Sequence, residues 1–187
     1  MDVEVVKIRP IKVIAEIFAT IAAILLIISL AGPEWAQARF RLSEEQETWD
    51  WGLWVHCNTV LDERSVCMEE EWMTVCAVFV IISLLLSIVC GACGLMGLLS
   101  RDKQRKKICY LACGIGMLAG VVVMLLALII FPVKFGENIQ QYDNLERWDF
   151  DWTYGFGWGG FVFELAAAVF FFLPSTANED DNKPYYQ

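Results

Sequence analysis

Four long apolar runs, parted by polar segments, dominate the chain. The first follows Pro10 and extends to about Gly32; Trp72 to Leu99 and Ile108 to Val133 hold no charged residue, and Trp152 to Leu173 holds only Glu164. A helix needs roughly 20 residues to cross the hydrocarbon of a bilayer. The pattern therefore predicts membrane helices over about 11–32, 72–99, 108–131 and 152–173. Pro132 leaves open a helix three that continues past a kink into Glu137–Tyr142. The intervening loops span 33–71, 100–107 and 132–151, with a tail over 174–187. A loop of about 39 residues without structure of its own would be unusual. Trp35 to Leu42 alternates large and polar residues, and Thr48 to Asn58 is rich in Trp and Val; both predict strands. Gly52 within the second predicts a bulge or a close backbone approach. Trp148, Phe150 and Trp152 alternate with Asp149, Asp151 and Thr153, which predicts a third strand pairing with the first-loop sheet.

Charge orients these elements. Arg101, Lys103, Arg105, Lys106 and Lys107 crowd the short middle loop, and such loops stay on the cytoplasmic side. Lys7, Arg9 and Lys12 fall on the same side across four spans, so both termini are expected inside. The basic start also fits a cleaved signal peptide, but no small-x-small cleavage site stands at Leu30-Ala31-Gly32-Pro33, and removal would leave an odd number of spans. Loop 33–71 carries ten Asp or Glu against Arg39, Arg41 and Arg64, giving the outer face a negative potential.

Composition narrows the chemistry. With 187 residues, 57% hydrophobic, the chain belongs to the membrane class as one bundle-sized unit. A net charge of -9 argues against nucleic acid. There is no Gly-rich phosphate loop, HExxH or zinc-spaced CxxC pair, and the single histidine, His56, has no second His beside it. No catalytic pair, metal or cofactor site is expected, so the chain is not read as an enzyme. Glu164 is the sharpest intramembrane feature, because a carboxylate there must be neutral or hydrogen-bonded. The expected partners are Ser83, Ser87 or Thr20. Glu16, one turn above Lys12, is expected to pair with it. Gly91, Gly94 and Gly97, and the Gly116–Gly120 pair, read as close helix packing. Cys90, Cys93 and Cys109 read as small packing residues or as palmitoylation sites.

Trp35, Gly52-Leu53-Trp54, Cys57 and Cys67 together form the signature of the claudin and peripheral-myelin-protein superfamily, and the chain resembles it over nearly its whole length. Pro132-Val133-Lys134-Phe135 and Phe150-Asp151-Trp152-Thr153-Tyr154-Gly155-Phe156-Gly157-Trp158 are similar to the branch containing transmembrane protein 47 (brain cell membrane protein) and PERP. The resemblance implies a membrane α-helical fold: a four-transmembrane-helix bundle under a small extracellular antiparallel β-sheet, as a single domain over 1–187. Cys57 and Cys67 would face the oxidising side and form a disulfide staple, and Trp54 with Leu53 would anchor the sheet at the membrane interface.

The implied function is adhesion and junction organisation at cell–cell contacts of the plasma membrane. The implied partners are the lipid bilayer, further copies in cis and in trans, and junctional proteins such as cadherin complexes or other claudin-like proteins. Leu61, Arg64 and Tyr142 are the candidate contacts between cells. Gln187 stands where typical claudins end in a hydrophobic residue, so a PDZ scaffold is not carried over. The alternatives are a paracellular barrier or cation-selective channel, and an auxiliary subunit of a channel or receptor.

Overall fold

The computed structural model describes residues 10–42, 45–59, 66–100, 102–142 and 144–174. Four helices follow the apolar runs: α1 (Pro10–Ala31), α2 (Glu71–Leu99), α3 (Lys103–Ile139) and α4 (Trp152–Phe172). All four are long and apolar enough to cross a membrane. α1 packs against α2 and α4, and α3 packs against the same two, closing a four-helix bundle. Large apolar side chains such as Ile24, Leu85, Leu95, Ile115, Val122 and Val162 stay exposed along its outside. In water such a surface would drive aggregation; in lipid it is the solvated face.

Helix α3 is longer than its uncharged run. It opens at Lys103, where the Asp102 carboxylate accepts the Gln104 N–H as an N-cap, the usual device for an orphan amide of the first turn. It then runs past Pro132 to Ile139, shortening the second loop expected over 132–151. Proline removes one helical N–H, here the donor to the carbonyl four residues back, Leu128. The Tyr154 hydroxyl of α4 donates to that carbonyl at 2.9 Å. The lost backbone bond is replaced from a neighbouring helix, so the helix need not end.

On one end of the bundle lies an antiparallel sheet of β1 (Ala36–Leu42), β2 (Glu45–Trp51), β3 (His56–Thr59), β4 (Val66–Met68) and β5 (Leu145–Phe150), in the order β4-β3-β2-β1-β5. The segment 48–58, expected as one strand, is a hairpin instead. Trp51 pairs with His56, and Gly52 to Val55 make the turn, closed by the Gly52 N–H on the Val55 carbonyl. Strand β5 pairs with β1, Ala38 opposite Trp148, with a register shift at Arg39/Phe40. Alternation puts Ala36, Ala38, Phe40 and Trp51 into the core between sheet and bundle. They meet Leu26, Met73, Met124, Phe131 and Phe135 there. A second apolar cluster, including Ala15, Ala19, Cys90, Tyr110, Met117 and Phe171, fills the far end.

Candidate functional site

The first loop is attached to the bundle through the end of α1. A helix leaves its last four carbonyls without intrahelical donors. Here Ile28 accepts the Gly32 N–H, Ser29 accepts the Trp35 indole N–H at 2.9 Å, and Leu30 accepts the Trp54 indole N–H at 2.9 Å. Both signature tryptophans therefore cap one helix. Their bodies differ: Trp35 is fully buried, its ring 4.8 Å from Phe131 and 5.3 Å from Tyr154, while Trp54 is 48% exposed. Leu53 is fully buried with the core rather than sharing the interface with Trp54. Gly52 passes so close to Pro33 that an added Cβ would collide with the Pro33 carbonyl. The Gly-Leu-Trp triplet thus gives a close approach, a core plug and a cap.

The second loop joins at the same corner. The Asp151 N–H donates to the Trp35 carbonyl, the Thr153 hydroxyl donates to the Glu34 carbonyl, and the Asp151 carboxylate accepts the Trp152 N–H as N-cap of α4. Burial, a hydrogen bond with the Asp151 carboxyl, and the nearby charges of Asp50 and Asp151 raise the pKa of Glu34. A small cleft beside it is lined by Pro33, Glu34, Asp50, Gly52, Trp54, Val55 and Cys57.

Cys57 and Cys67 face each other across β3 and β4 and form a disulfide, with Cα atoms 4.1 Å apart. His56, next in chain, is buried with its ring 5.8 Å from Trp49 and 5.6 Å from Trp51. Among the described residues neither ring nitrogen has a hydrogen-bond partner. Burial lowers its pKa, and only the Glu70 charge pulls the other way. Tyr142 is 39% exposed, against Phe40 and Trp49. Leu61 and Arg64, the other contacts expected from sequence, lie outside the described residues.

Inside the bundle, Glu164 is fully buried between the two apolar clusters. Its two oxygens accept the Ser83 and Ser87 hydroxyls, each at 2.8 Å. Thr20 donates instead to the Glu16 carbonyl. Three of the glycines make room for side chains of a neighbouring helix, and Gly97 for the Tyr110 ring. A Cβ at Gly120 would strike the Glu164 carboxyl, one at Gly116 the Cys90 thiol, and one at Gly94 the Glu16 carboxyl. The expected Lys12–Glu16 pairing is replaced. Lys12 donates to the carbonyls of Phe170, Phe171 and Leu173 at the end of α4, where a cation also meets the negative end of the helix dipole. Glu16 is buried, and its Oε1 lacks a hydrogen-bond partner among the described residues. Cys90 lies in the α2–α3 seam and is not open to acylation without parting the helices, while Cys93 and Cys109 are half-buried.

The helix caps by indoles and the Tyr154 replacement bond were invisible to sequence reasoning, because each depends on a carbonyl, which every residue carries. Only the clustering of Trp and Tyr near the helix ends hinted at them. Among the described residues no cluster of His, Cys, Asp and Glu could hold a metal ion.

A four-span bundle whose first loop is a stapled sheet, capped onto α1 by two tryptophans, defines the class of the protein. The family model described as PMP-22/EMP/MP20/Claudin tight junction matches residues 64–173, more than half of the chain, and the chain belongs to this family. It is also similar to the p53 apoptosis effector related to PMP-22 of Danio rerio, with 30% identity over 158 residues, 83% of this chain and 77% of that protein. Members of the family are structural membrane proteins and not enzymes, and so is this one.

Proposed function

We propose that the chain acts at cell–cell junctions of the plasma membrane, in adhesion and junction organisation. It does so through its sheet and through lateral association with further copies, with both termini in the cytoplasm. The observation that carries this reading is the rigid attachment of the sheet. Trp35 and Trp54 tie it to α1, β5 ties it to α4, and the Cys57–Cys67 disulfide staples its far edge. A surface held this firmly can transmit force or register between copies. Junctional proteins, cadherin complexes or other claudin-like chains are the partners this reading implies.

Expression in cells that lack junctions tests it. Enrichment at contacts and cell aggregation, without charge-selective conductance across the layer, is the expected result. A barrier or cation-selective pore is the second reading, favoured by the carboxyl cluster of Glu34, Asp50 and Asp151. A cation conductance lost on neutralising these three would decide for it.

A further inference from the structure

Every sheet that does not close has two edges, each presenting backbone N–H and C=O groups that a further strand can take up. Here the edges are unlike. Strand β4 has three residues and is held by the disulfide. Strand β5 has six, and its residues after Leu145 are all exposed. Charges on such an edge, here Glu146, Arg147 and Asp149, discourage indiscriminate pairing. Their order, however, is complementary to itself.

We propose that two copies of this chain pair edge to edge through β5, antiparallel and centred on Trp148, so that each Arg147 faces the other copy's Asp149. The register follows from alternation and charge. Trp148 and Phe150 lie opposite Ala38 and Ala36 of β1 on the bundle side of the sheet. Arg147 and Asp149 lie on the opposite side, 69% and 60% exposed in their side chains. Pairing that keeps both faces matched must set odd residues against odd and even against even. Centred on Arg147, it would set two guanidinium groups face to face. Centred on Asp149, it would oppose two carboxylates, and centred on Glu146 two more; like charges directly opposite destabilise a sheet. Centred on Trp148, it gives two Arg–Asp pairs and one indole–indole pair. Trp148 is 44% exposed and Phe150 39%, so the new contact also covers apolar area. The register shift at Arg39/Phe40 turns Glu146 to the outer side, where it bonds Arg41 of its own β1 at 3.0 Å, so the matched stretch runs from Arg147 to Asp149. With faces matched, both copies keep their bundles on the same side of the joined sheet.

This inference rests on the lateral association proposed above and names its surface. The test uses full-length chains with two different tags, co-expressed and co-precipitated from mild detergent, with surface delivery measured alongside. R147D alone sets carboxylate against carboxylate, and D149R alone sets base against base. Each should lower recovery of its own kind roughly tenfold. Co-expressed with one another, R147D and D149R chains are complementary and should associate as well as wild type. The Arg147–Asp149 bridge within one chain cannot produce that rescue. As an independent measure, W148C chains should cross-link to one another under mild oxidation, whereas E146C chains should not. Wild-type association that ignores the charge variants and leaves W148C uncross-linked would overturn the edge pairing alone. Failure of wild-type copies to co-precipitate or cross-link at all would overturn lateral association with it.

Discussion

The Tyr154 hydroxyl donates to the Leu128 carbonyl, the acceptor whose own helical donor is missing because residue 132 is proline. A bond between helices thereby stands in for one within a helix. Y154F should leave that buried carbonyl unsatisfied and cost about 1–3 kcal/mol, read as a lower Tm in detergent. P132A restores a backbone donor, so the Y154F/P132A chain should recover most of the loss. Equal destabilisation with and without P132A would show that the tyrosine acts by packing alone.

Trp35 and Trp54 make the same hydrogen bond with different burial, and their substitutions should separate accordingly. W35A removes a buried ring as well as a cap and should cost about 3–5 kcal/mol, seen as loss of surface delivery. W54A removes a cap at an exposed position and should cost about 0.5–1.5 kcal/mol, with delivery largely kept. W54F should resemble W54A, since neither can donate to Leu30.

His56 makes the sheet sensitive to acid. Its folded pKa lies below the ordinary value of 6.5, so the unfolded chain takes up the proton first as pH falls. Its contribution is fully present above pH 6.5 and declines as pH drops from there through the folded pKa, by at most about 1.4 kcal/mol per pH unit. Glu34, with a raised pKa, acts in the opposite sense: its ionisation costs stability as pH rises from 4.5 through its folded pKa. Comparing Tm between pH 7.5 and 6 in wild type and H56F isolates the histidine; the fall on acidification should be smaller in H56F. An identical slope in both would place the acid sensitivity elsewhere.

Glu164 should tolerate E164Q, because an amide can still engage the Ser83 and Ser87 hydroxyls. E164L should cost about 2–4 kcal/mol by stranding both hydroxyls in the bundle. G120A should cost a similar amount, since its Cβ meets the same carboxyl. The E164A/G120A double variant should then be less destabilised than the sum of its parts. Additivity of the two would mean that Gly120 accommodates something other than Glu164.

The C57S/C67S chain should lose about 2–3 kcal/mol, the entropy-model value for a loop this short. Far-ultraviolet helix signal should persist while the near-ultraviolet tryptophan signal weakens, because the loss falls on β3 and β4 and not on the bundle. Collapse of both together would make the sheet a requirement for the helices.

The helices were legible because each is an apolar run of the length that hydrocarbon demands, β1 because its alternation has one buried side, and β5 because aromatics alternate with charges along it. The break at Gly52–Val55 was not legible. Trp49 and Trp51 stand before it and His56 and Cys57 after it, and residues 51 and 54 fall on opposite faces of a regular strand anyway, so their different fates gave no sign of a turn. Likewise Pro132 leaves both an end and a kinked continuation open until Tyr154 is seen to replace the missing donor. The signature residues were found as a set from sequence, yet their joint role as caps on Ser29 and Leu30 depends on geometry alone. Lys12 and Glu16 sit at pairing distance along α1, and that local rule was overridden by the open carbonyls of α4.

The neighbour of β1 on one side is β2, the next strand in the chain; on the other it is β5, which follows two further helices. During synthesis the first hairpin can therefore form early, but β1 keeps an open flank until α2 and α3 have been inserted and β5 has emerged. That flank closes only once three of the four spans precede β5 in the membrane, so an open β1 edge marks a chain whose insertion has stopped short of α3.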